Sequence, residues 1–195
     1  VWVKTGENWD NMTEATATLS GEGAWVEALS VLDSNTIVAG LRNNMINIWL
    51  KDGEQWSDMS EPAVKFINEN IIRSLATFNG NMIVAGLNNN KIKLWKKNGD
   101  SWENEQIPNA VLSGHTGSVW SVVIFDENTI VSGSSVSGSS GGDIRIWVKP
   151  GGEEWQDMTN DDVAVQGDYT IKSLHHSGDI VLYSDTYNVG SINIK

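Results

Sequence analysis

The sequence contains no cysteine, which excludes disulfide bonds and metal sites built on thiolates. It also contains no apolar run near the roughly 18–20 residues that a membrane-spanning helix needs. The first residues, Val1 to Lys4, do not form a signal peptide. We therefore expect no membrane partner, and these absences agree with a cytoplasmic protein.

Positive charge is scarce: 13 Lys and Arg residues stand against 25 Asp and Glu, for a net charge of −12. Nucleic acid and anionic membrane surfaces are poor partners for such a chain, because both require a basic face. A neutral or basic protein partner fits better, although the acidity alone also serves solubility. The 39% hydrophobic and 19% charged content predicts a folded chain with a core.

Tryptophan is abundant and regularly placed. Eight of the ten tryptophans fall in four pairs, and the pairs recur at nearly the same interval. The first members are Trp2, Trp49, Trp95 and Trp147, and the second members are Trp9, Trp56, Trp102 and Trp155. A period of about 40–50 residues is typical of propellers and solenoids, so the chain is predicted to contain four copies of one structural unit.

One copy can be interpreted strand by strand. Ile71 to Phe78 is an apolar strand, and Asn79-Gly80 is a strong hairpin turn. A second apolar strand covers 81–86, and 91–95 alternates polar and apolar residues with the period of a strand. Ser101 to Glu105 is predicted as a polar fourth strand. The unit is therefore a four-stranded antiparallel meander.

The same plan fits the other copies, at about 1–47, 48–93, 94–145 and 146–195. No segment has a sustained helical period, so almost no helix is expected. Such sheets pack face to face around an axis in a propeller, whereas a solenoid needs capping repeats that are missing here. We predict an all-β propeller, or propeller segment, of about four four-stranded antiparallel blades within one domain, 1–195.

Four segments resemble the WD-repeat family of β-propellers. They are Leu112 to His115, Val119 to Val122, Ile130 to Ser134 and Ile144 to Trp147. The resemblance implies a buried hydrogen-bonded network that includes His115, Ser132 and Trp147. The family's network also contains an Asp, which has no clear counterpart here because Ser135 to Gly142 is a Ser/Gly insertion.

The other repeats depart from the family pattern. The Asp that follows the first Trp in the family is replaced by Val3, Leu50, Lys96 and Val148. Gly-His occurs once, and Asn43 and Asn89 stand in the shorter turns where an Asp is expected. These repeats are predicted to hold together more by packing than by a polar network.

Four equivalent positions at the mouth of the inner strands hold different residues: Glu27, Arg73, Trp120 and Lys172. In the resembled family this position lines the partner-binding rim. Such varied chemistry at one repeated position is unnecessary for packing, and Trp and Arg are common interface anchors. We predict a non-catalytic protein-binding scaffold, with the alternative that Trp120 packs inside the channel and the charges pair with each other.

No convergent set of side chains predicts a catalytic site, a metal site or a cofactor. The repeated tryptophans are expected to pack across strands. The alternative functions are a lectin-like propeller that binds sugars through these rings, and an enzyme with a site in the channel.

Three assemblies remain open. The chain begins without Met and begins and ends within a third strand, which favours a segment of a larger ring. The other two are a closed ring of four blades and a homodimer that completes a ring of eight.

Overall fold

The computed structural model describes the chain except for residues 4–13, 100, 103–105, 136–140, 150, 152–153, 156–157, 160–162, 167–168 and 195. In this part the protein is all β, with no helix and with four sheets in chain order. The prediction of an all-β chain of four antiparallel meanders is confirmed for the secondary structure and the number of sheets.

Sheet 1 contains four antiparallel strands in sequential order: β1 (Val26–Asp33), β2 (Thr36–Leu41), β3 (Met45–Leu50) and β4 (Val64–Ile67). Sheet 2 repeats this order with β5 (Ile72–Phe78), β6 (Met82–Leu87), β7 (Lys91–Lys96) and β8 (Ala110–Ser113). In both sheets the strands follow one another as a simple meander.

Sheet 3 begins with β9 (Val119–Asp126), β10 (Thr129–Ser134) and β11 (Asp143–Val148). A short strand, β12 (Met158–Thr159), then pairs in parallel with β8 at the edge of sheet 2. The next strand, β13 (Val163–Gln166), returns to sheet 3 beside β11. Sheet 4 consists of β14 (Ser173–Ser177), β15 (Ile180–Ser184) and β16 (Val189–Asn193).

The hairpin predicted at Asn79-Gly80 is confirmed. Both residues have positive φ, 48° and 69°, as the tight turn between β5 and β6 requires. Asn44 and Asn90 also have positive φ, 71° and 70°. They precede β3 and β7, and Asn is one of the few residues that tolerates this conformation.

The prediction that Ser101 to Glu105 is the fourth strand of sheet 2 is wrong, because β8 occupies that place. Ser101 forms an isolated bridge with Asn98, and residues 103–105 lie outside the described part. Trp102 lies in the connection before β8 and is buried against Phe66 of sheet 1, with ring centroids 6.1 Å apart. A Trp after a turn has the pattern of a hairpin strand, but this ring fills the core between two sheets.

The core lies between neighbouring sheets. One cluster fills the space between sheets 1 and 2, a second lies between sheets 2 and 3, and a third lies between sheets 3 and 4. We call the face of each sheet that points toward the preceding sheet its front face, and the opposite face its back face; in sheet 1 the front face is the one that points away from sheet 2. The front faces of the first three sheets carry Trp49, Trp95 and Trp147. Trp95 stacks on Phe66 of sheet 1, with centroids 5.5 Å apart.

The innermost strands approach one another closely, and Gly86 of β6 marks one such approach. A Cβ atom at Gly86 would lie 2.7 Å from Val119 Cγ1 and 2.8 Å from the Val119 carbonyl oxygen of β9. Gly40 and Gly133 occupy the equivalent register in sheets 1 and 3. Glycine at this position therefore sets the spacing between sheets.

Gly86→Ala is expected to lower the free energy of unfolding by about 1–3 kcal/mol, because the added methyl group must displace backbone of the next sheet. Urea unfolding measures the loss. Gly151→Ala is the matched control, since nothing lies within 4 Å of a Cβ at Gly151. Equal losses in the two variants would show that this close approach does not set the spacing.

Candidate functional site

The structure brings together the three residues that the family resemblance assigns to a buried network. His115 Nε2 lies 2.6 Å from Ser132 Oγ, and Trp147 Nε1 donates to the same oxygen at 2.8 Å. All three residues are buried. This network ties the connection before β9 to β10 and β11, so it fixes one end of sheet 3.

Asp143 completes the network, although no clear counterpart of the family's Asp was found by sequence comparison. Its carboxylate accepts from His115 Nδ1 and from Ser134 Oγ, and Arg145 Nε donates to its other oxygen at 2.8 Å. The Ser/Gly insertion hid this residue because it lengthens the turn before β11. The one available signal was an Asp directly before the Ile-Arg-Ile-Trp strand.

Burial by itself would raise the pKa of the Asp143 carboxyl. The hydrogen bond and the coulombic attraction from His115, with further hydrogen bonds from Ser134 and Arg145, outweigh that effect and lower the pKa to about 2. Asp143 is therefore a structural anion held by three neighbours, and these contacts leave it little freedom to act as an acid or base at neutral pH.

Sheets 1 and 2 lack this network. In sheet 2 the positions of Ser132 and Ser134 are held by Ala85 and Leu87, by strand register. Trp95 Nε1 is buried and has no hydrogen-bond partner among the described residues, and the same is true of Trp49 Nε1. These sheets are stabilised by apolar packing at the place where sheet 3 uses hydrogen bonds.

The predicted rim residues of sheets 1 to 3 share one structural feature. Glu27, Arg73 and Trp120 each lie at a register shift at the start of an inner strand, between Val26 and Ala28 in β1 and at the matching points of β5 and β9. Such bulges turn a side chain out of the alternating pattern of the strand. The bulges explain how these positions escape the packing between sheets.

The rim residues contact one another in sequence. Arg73 donates to Glu27 at 3.2 Å and to Asn88 at 3.0 Å. The Trp120 ring lies between two cations, with the Arg73 guanidinium carbon 4.8 Å and Lys172 Nζ 4.6 Å from its centroid. Paired charges and a half-buried Trp120 match the alternative interpretation in part, but the residue is not fully buried.

A second aromatic–cation pair extends this row. Trp25 is 69% exposed, and the guanidinium carbon of Arg42 lies 4.5 Å from the centroid of its ring. Arg42 also approaches Glu27 at 3.7 Å. The sequence prediction missed both residues, although Trp25 lies only two positions before Glu27. We call Trp25, Glu27, Arg42, Arg73, Trp120 and Lys172 the rim row.

The rim row is locally basic on an acidic protein. Its cations are Arg42, Arg73 and Lys172, and its one carboxylate is Glu27. Lys172 has no ion-pair partner among the described side chains, so its charge is available beside the Trp120 ring. A flat cation-flanked ring of this kind suits a carboxylate or carbonyl oxygen that lies next to an apolar group.

The repeated tryptophans are mainly buried. Trp49, Trp95, Trp102, Trp147 and Trp155 are all nearly inaccessible to solvent. Trp9 lies outside the described residues. A sugar stacks on an exposed ring, so these five positions cannot serve the lectin alternative in the folded protein.

In the described part of the chain, no three His, Asp or Glu side chains converge as metal ligands do. His175 and His176 are neighbours on β14, and His176 packs against Phe125. No helix in the same part is long and apolar enough to cross a membrane.

Comparison with known proteins identifies one repeat. The family model for the WD domain, G-beta repeat, matches residues 106–148. This span contains β8 of sheet 2 and all of β9, β10 and β11 of sheet 3, so one sequence repeat links two neighbouring sheets. No curated protein matches the sequence.

Two solved structures of computationally designed proteins have a similar fold. Ika4 matches with a TM-score of 0.67 and 18% identity over 94% of this chain and 100% of Ika4. Ika8 matches with a TM-score of 0.64 and 18% identity over 91% of this chain and 48% of Ika8. The chain therefore spans about half the length of Ika8, and the likeness concerns the fold alone.

Proposed function

We propose that this chain, a member of the WD-repeat family through residues 106–148, is a non-catalytic platform that binds a protein partner. In this proposal the four sheets are blades of a WD-type propeller, and the rim row is the contact surface. WD repeats in general support protein interaction, and a rigid scaffold commonly carries its function on its loops and edges.

The observation that carries the proposal is the position of Trp120. Its ring lies at a bulge, between Arg73 and Lys172, at the end of a strand whose other side chains pack between sheets. The flanking cations hold the ring in place before any partner binds, which reduces the entropy lost on binding. Rigid aromatic and Arg side chains dominate the energy of many interfaces.

The charges of the rim row favour a particular contact. The net charge of −12 favours a neutral or basic partner at long range, as predicted from the sequence. At the rim row, three cations face one carboxylate, so the segment that touches Trp120 is expected to carry an acidic side chain. The proposed partner is thus a protein that presents a short segment with a carboxylate beside an apolar residue.

Selection from a random peptide library displayed on phage tests this proposal. The wild-type chain is expected to enrich peptides with Asp or Glu next to an apolar residue, because Lys172 and Arg73 flank the Trp120 ring. Counter-selection on the Trp120→Ala variant is expected to remove most of these peptides. The matched control is Val148→Ala, an exposed apolar residue at the opposite end of sheet 3.

Two results would contradict the proposal. The first is enrichment of the same peptides by the wild type and by Trp120→Ala. The second is selection of peptides whose binding survives Trp120→Ala but fails with Val148→Ala, which would place the contact at the other end of the sheet.

A further inference from the structure

The described chain leaves part of the apolar front face of sheet 1 uncovered, along β1, while Ala39 and Trp49 on the same face are buried. Leu29 of β1 is 67% exposed, whereas its equivalents by register in sheets 3 and 4, Val122 and Leu174, are 5% and 7% exposed. Val31, on the same face, is as exposed as Leu29. A cleft of about 640 Å³ opens over this face, lined by Leu29, Val31, Ile37, Ala39 and Trp49, among others.

Sheet 4 has a complementary exposed apolar surface on its back face. Val189 of β16 is 81% exposed, while Ile46 and Ile92, which occupy the same register in sheets 1 and 2, are completely buried by the next sheet. Leu182 of β15 is 43% exposed on this face. The two ends of the row of sheets thus present the two halves of the interface that occurs three times inside the chain.

The two end faces do not cover each other within one chain. β1 packs on β5, β5 on β9, and β9 on β14, but β14 and β1 make no comparable contact in the described structure. The exposure of Leu29 and Val189 leads to the same conclusion. The four sheets form an open row.

A short segment before sheet 1 lies where a fourth strand of a preceding sheet would lie. Residues 17–20 are Ala-Thr-Leu-Ser, and β8 is Ala-Val-Leu-Ser. Leu19 pairs in parallel with Met59, just as Leu112 of β8 pairs in parallel with β12. Ala17 is buried, as Ala110 is.

This segment lacks most of its neighbouring strand. Val1 exchanges backbone hydrogen bonds with Ala17, at 2.6 Å and 3.3 Å. In the described structure no antiparallel strand lies along Leu19 and Ser20 in the way that β7 lies along β8. Sheet 4, in turn, has three described strands with β16 at its edge, where the other sheets have a fourth strand.

We propose that a second copy of this chain docks between these ends. The back face of its sheet 4 packs on the front face of sheet 1, with β16 of the copy alongside residues 17–20. The reciprocal contact at the other end closes a ring of eight sheets. The occupant is inferred from the chain's own three internal interfaces, each of which joins a back face to a front face.

Two details of the joint differ from the internal interfaces. Ser184 stands where sheets 1 to 3 have glycine, so the two sheets must lie slightly further apart at this joint. By register Val1 to Val3 correspond to the second half of β16, so these residues must leave the edge of residues 17–20 when β16 binds.

The fold also occurs as about half of a longer chain, Ika8, which shows that a row of four such sheets is compatible with a larger body.

The ring would double the rim row. Each copy contributes one Trp120 with its flanking Arg73 and Lys172, so the two rows would face each other across one opening. This inference does not depend on what the rim row binds, and it fails or holds separately.

Analytical ultracentrifugation of the whole chain tests the proposal. The wild type is expected to sediment with twice the mass of the 21.4 kDa chain. Leu29→Lys and Leu182→Glu each place an unpaired charge in both joints, so each is expected to weaken dimerisation by more than about a hundredfold. Both positions are exposed in the single chain, so folding is expected to be unaffected, and circular dichroism checks this.

An equimolar mixture of the two variants is the decisive arm. In a mixed ring, one joint pairs the introduced ammonium with the introduced carboxylate, and the other joint keeps the wild-type side chains. The mixture is therefore expected to regain the doubled mass. Ile107→Lys, a change at a residue that is exposed and lies away from both end faces, serves as the control and should leave the mass doubled.

Several results would overturn the proposal. A wild-type mass of one chain at about 100 µM, far above the dissociation constant of a stable dimer, rules out the ring. A mass that grows beyond two chains indicates open head-to-tail polymers instead. Loss of the dimer with Leu29→Lys but not with Leu182→Glu indicates contact between two front faces.

Discussion

Replacement of Asp143 by alanine is expected to lower the free energy of unfolding by about 3–5 kcal/mol, the usual loss when one partner of a buried ionic group is removed. The carboxylate accepts hydrogen bonds from His115, Ser134 and Arg145. Its loss removes the acceptor of the buried His115 Nδ1 and weakens the bonding of Ser134 and of the half-buried Arg145. A domain of this size is stable by only about 5–15 kcal/mol, so urea unfolding should show a large shift of the midpoint.

The same carboxylate should make the free energy of unfolding depend on pH in the acidic range. The pKa of Asp143 is lowered from 3.8 to about 2 in the folded protein, so its contribution is fully present above pH 3.8 and is lost as the pH falls toward 2. The difference corresponds to about 2 kcal/mol. Asp143→Asn should be less stable than the wild type at neutral pH, and the gap should narrow in acid.

Asp52→Ala is the matched control for both measurements. Asp52 is exposed and its carboxylate makes no described hydrogen bond or ion pair, so its loss should change stability by less than about 0.5 kcal/mol. If Asp143→Ala unfolds at the same urea concentration as the wild type, packing and not the network fixes this end of sheet 3. A gap between Asp143→Asn and the wild type that stays constant with pH would contradict the lowered pKa.

Trp95→Ala should also destabilise the fold by about 3–5 kcal/mol, since removal of a fully buried Trp leaves a large cavity. The ring is 1% exposed, stacks on Phe66, and joins the core between sheets 1 and 2. Its indole nitrogen has no described hydrogen-bond partner, so the loss measures packing almost alone. Unfolding by urea or heat provides the value.

Trp25→Ala provides the comparison within the same residue type. Trp25 is exposed and contacts Arg42 through its ring, so its removal should cost less than about 1 kcal/mol. If both variants lose the same stability, the repeated tryptophans do not form the interface between sheets. If Trp95→Ala loses binding with no loss of stability, the ring has a role outside the core.

Periodicity predicted the first three strands of sheets 1 to 3 well, because alternation and turn residues are local properties. The fourth strand of sheet 2 was misplaced because β8 is short and follows a long connection, and the sequence pattern around Trp102 imitates a hairpin. The ring of Trp102 packs on a residue of another sheet, Phe66. Contacts between sheets of this kind are absent from any local pattern.

The candidate site was predicted in part. Equivalence of repeats singled out Glu27, Arg73, Trp120 and Lys172, and the structure places them in one row. The comparison of repeats could not predict the bulges that turn these residues outward. It also could not predict the addition of Trp25 and Arg42 or the arrangement of Trp120 between two cations. Asp143 was missed because an insertion changed the spacing by which the family's Asp is recognised, while its three-dimensional neighbours remained in place.

Titration calorimetry with a peptide selected on the wild type tests the central claim, that the rim row around Trp120 is the binding surface. Trp120→Ala is expected to weaken the peptide's affinity by at least about tenfold, which corresponds to about 1.4 kcal/mol or more. Lys172→Glu should weaken an acidic peptide at least as much, while Val148→Ala should leave the affinity unchanged. An affinity equal to that of the wild type in both Trp120→Ala and Lys172→Glu would contradict the account.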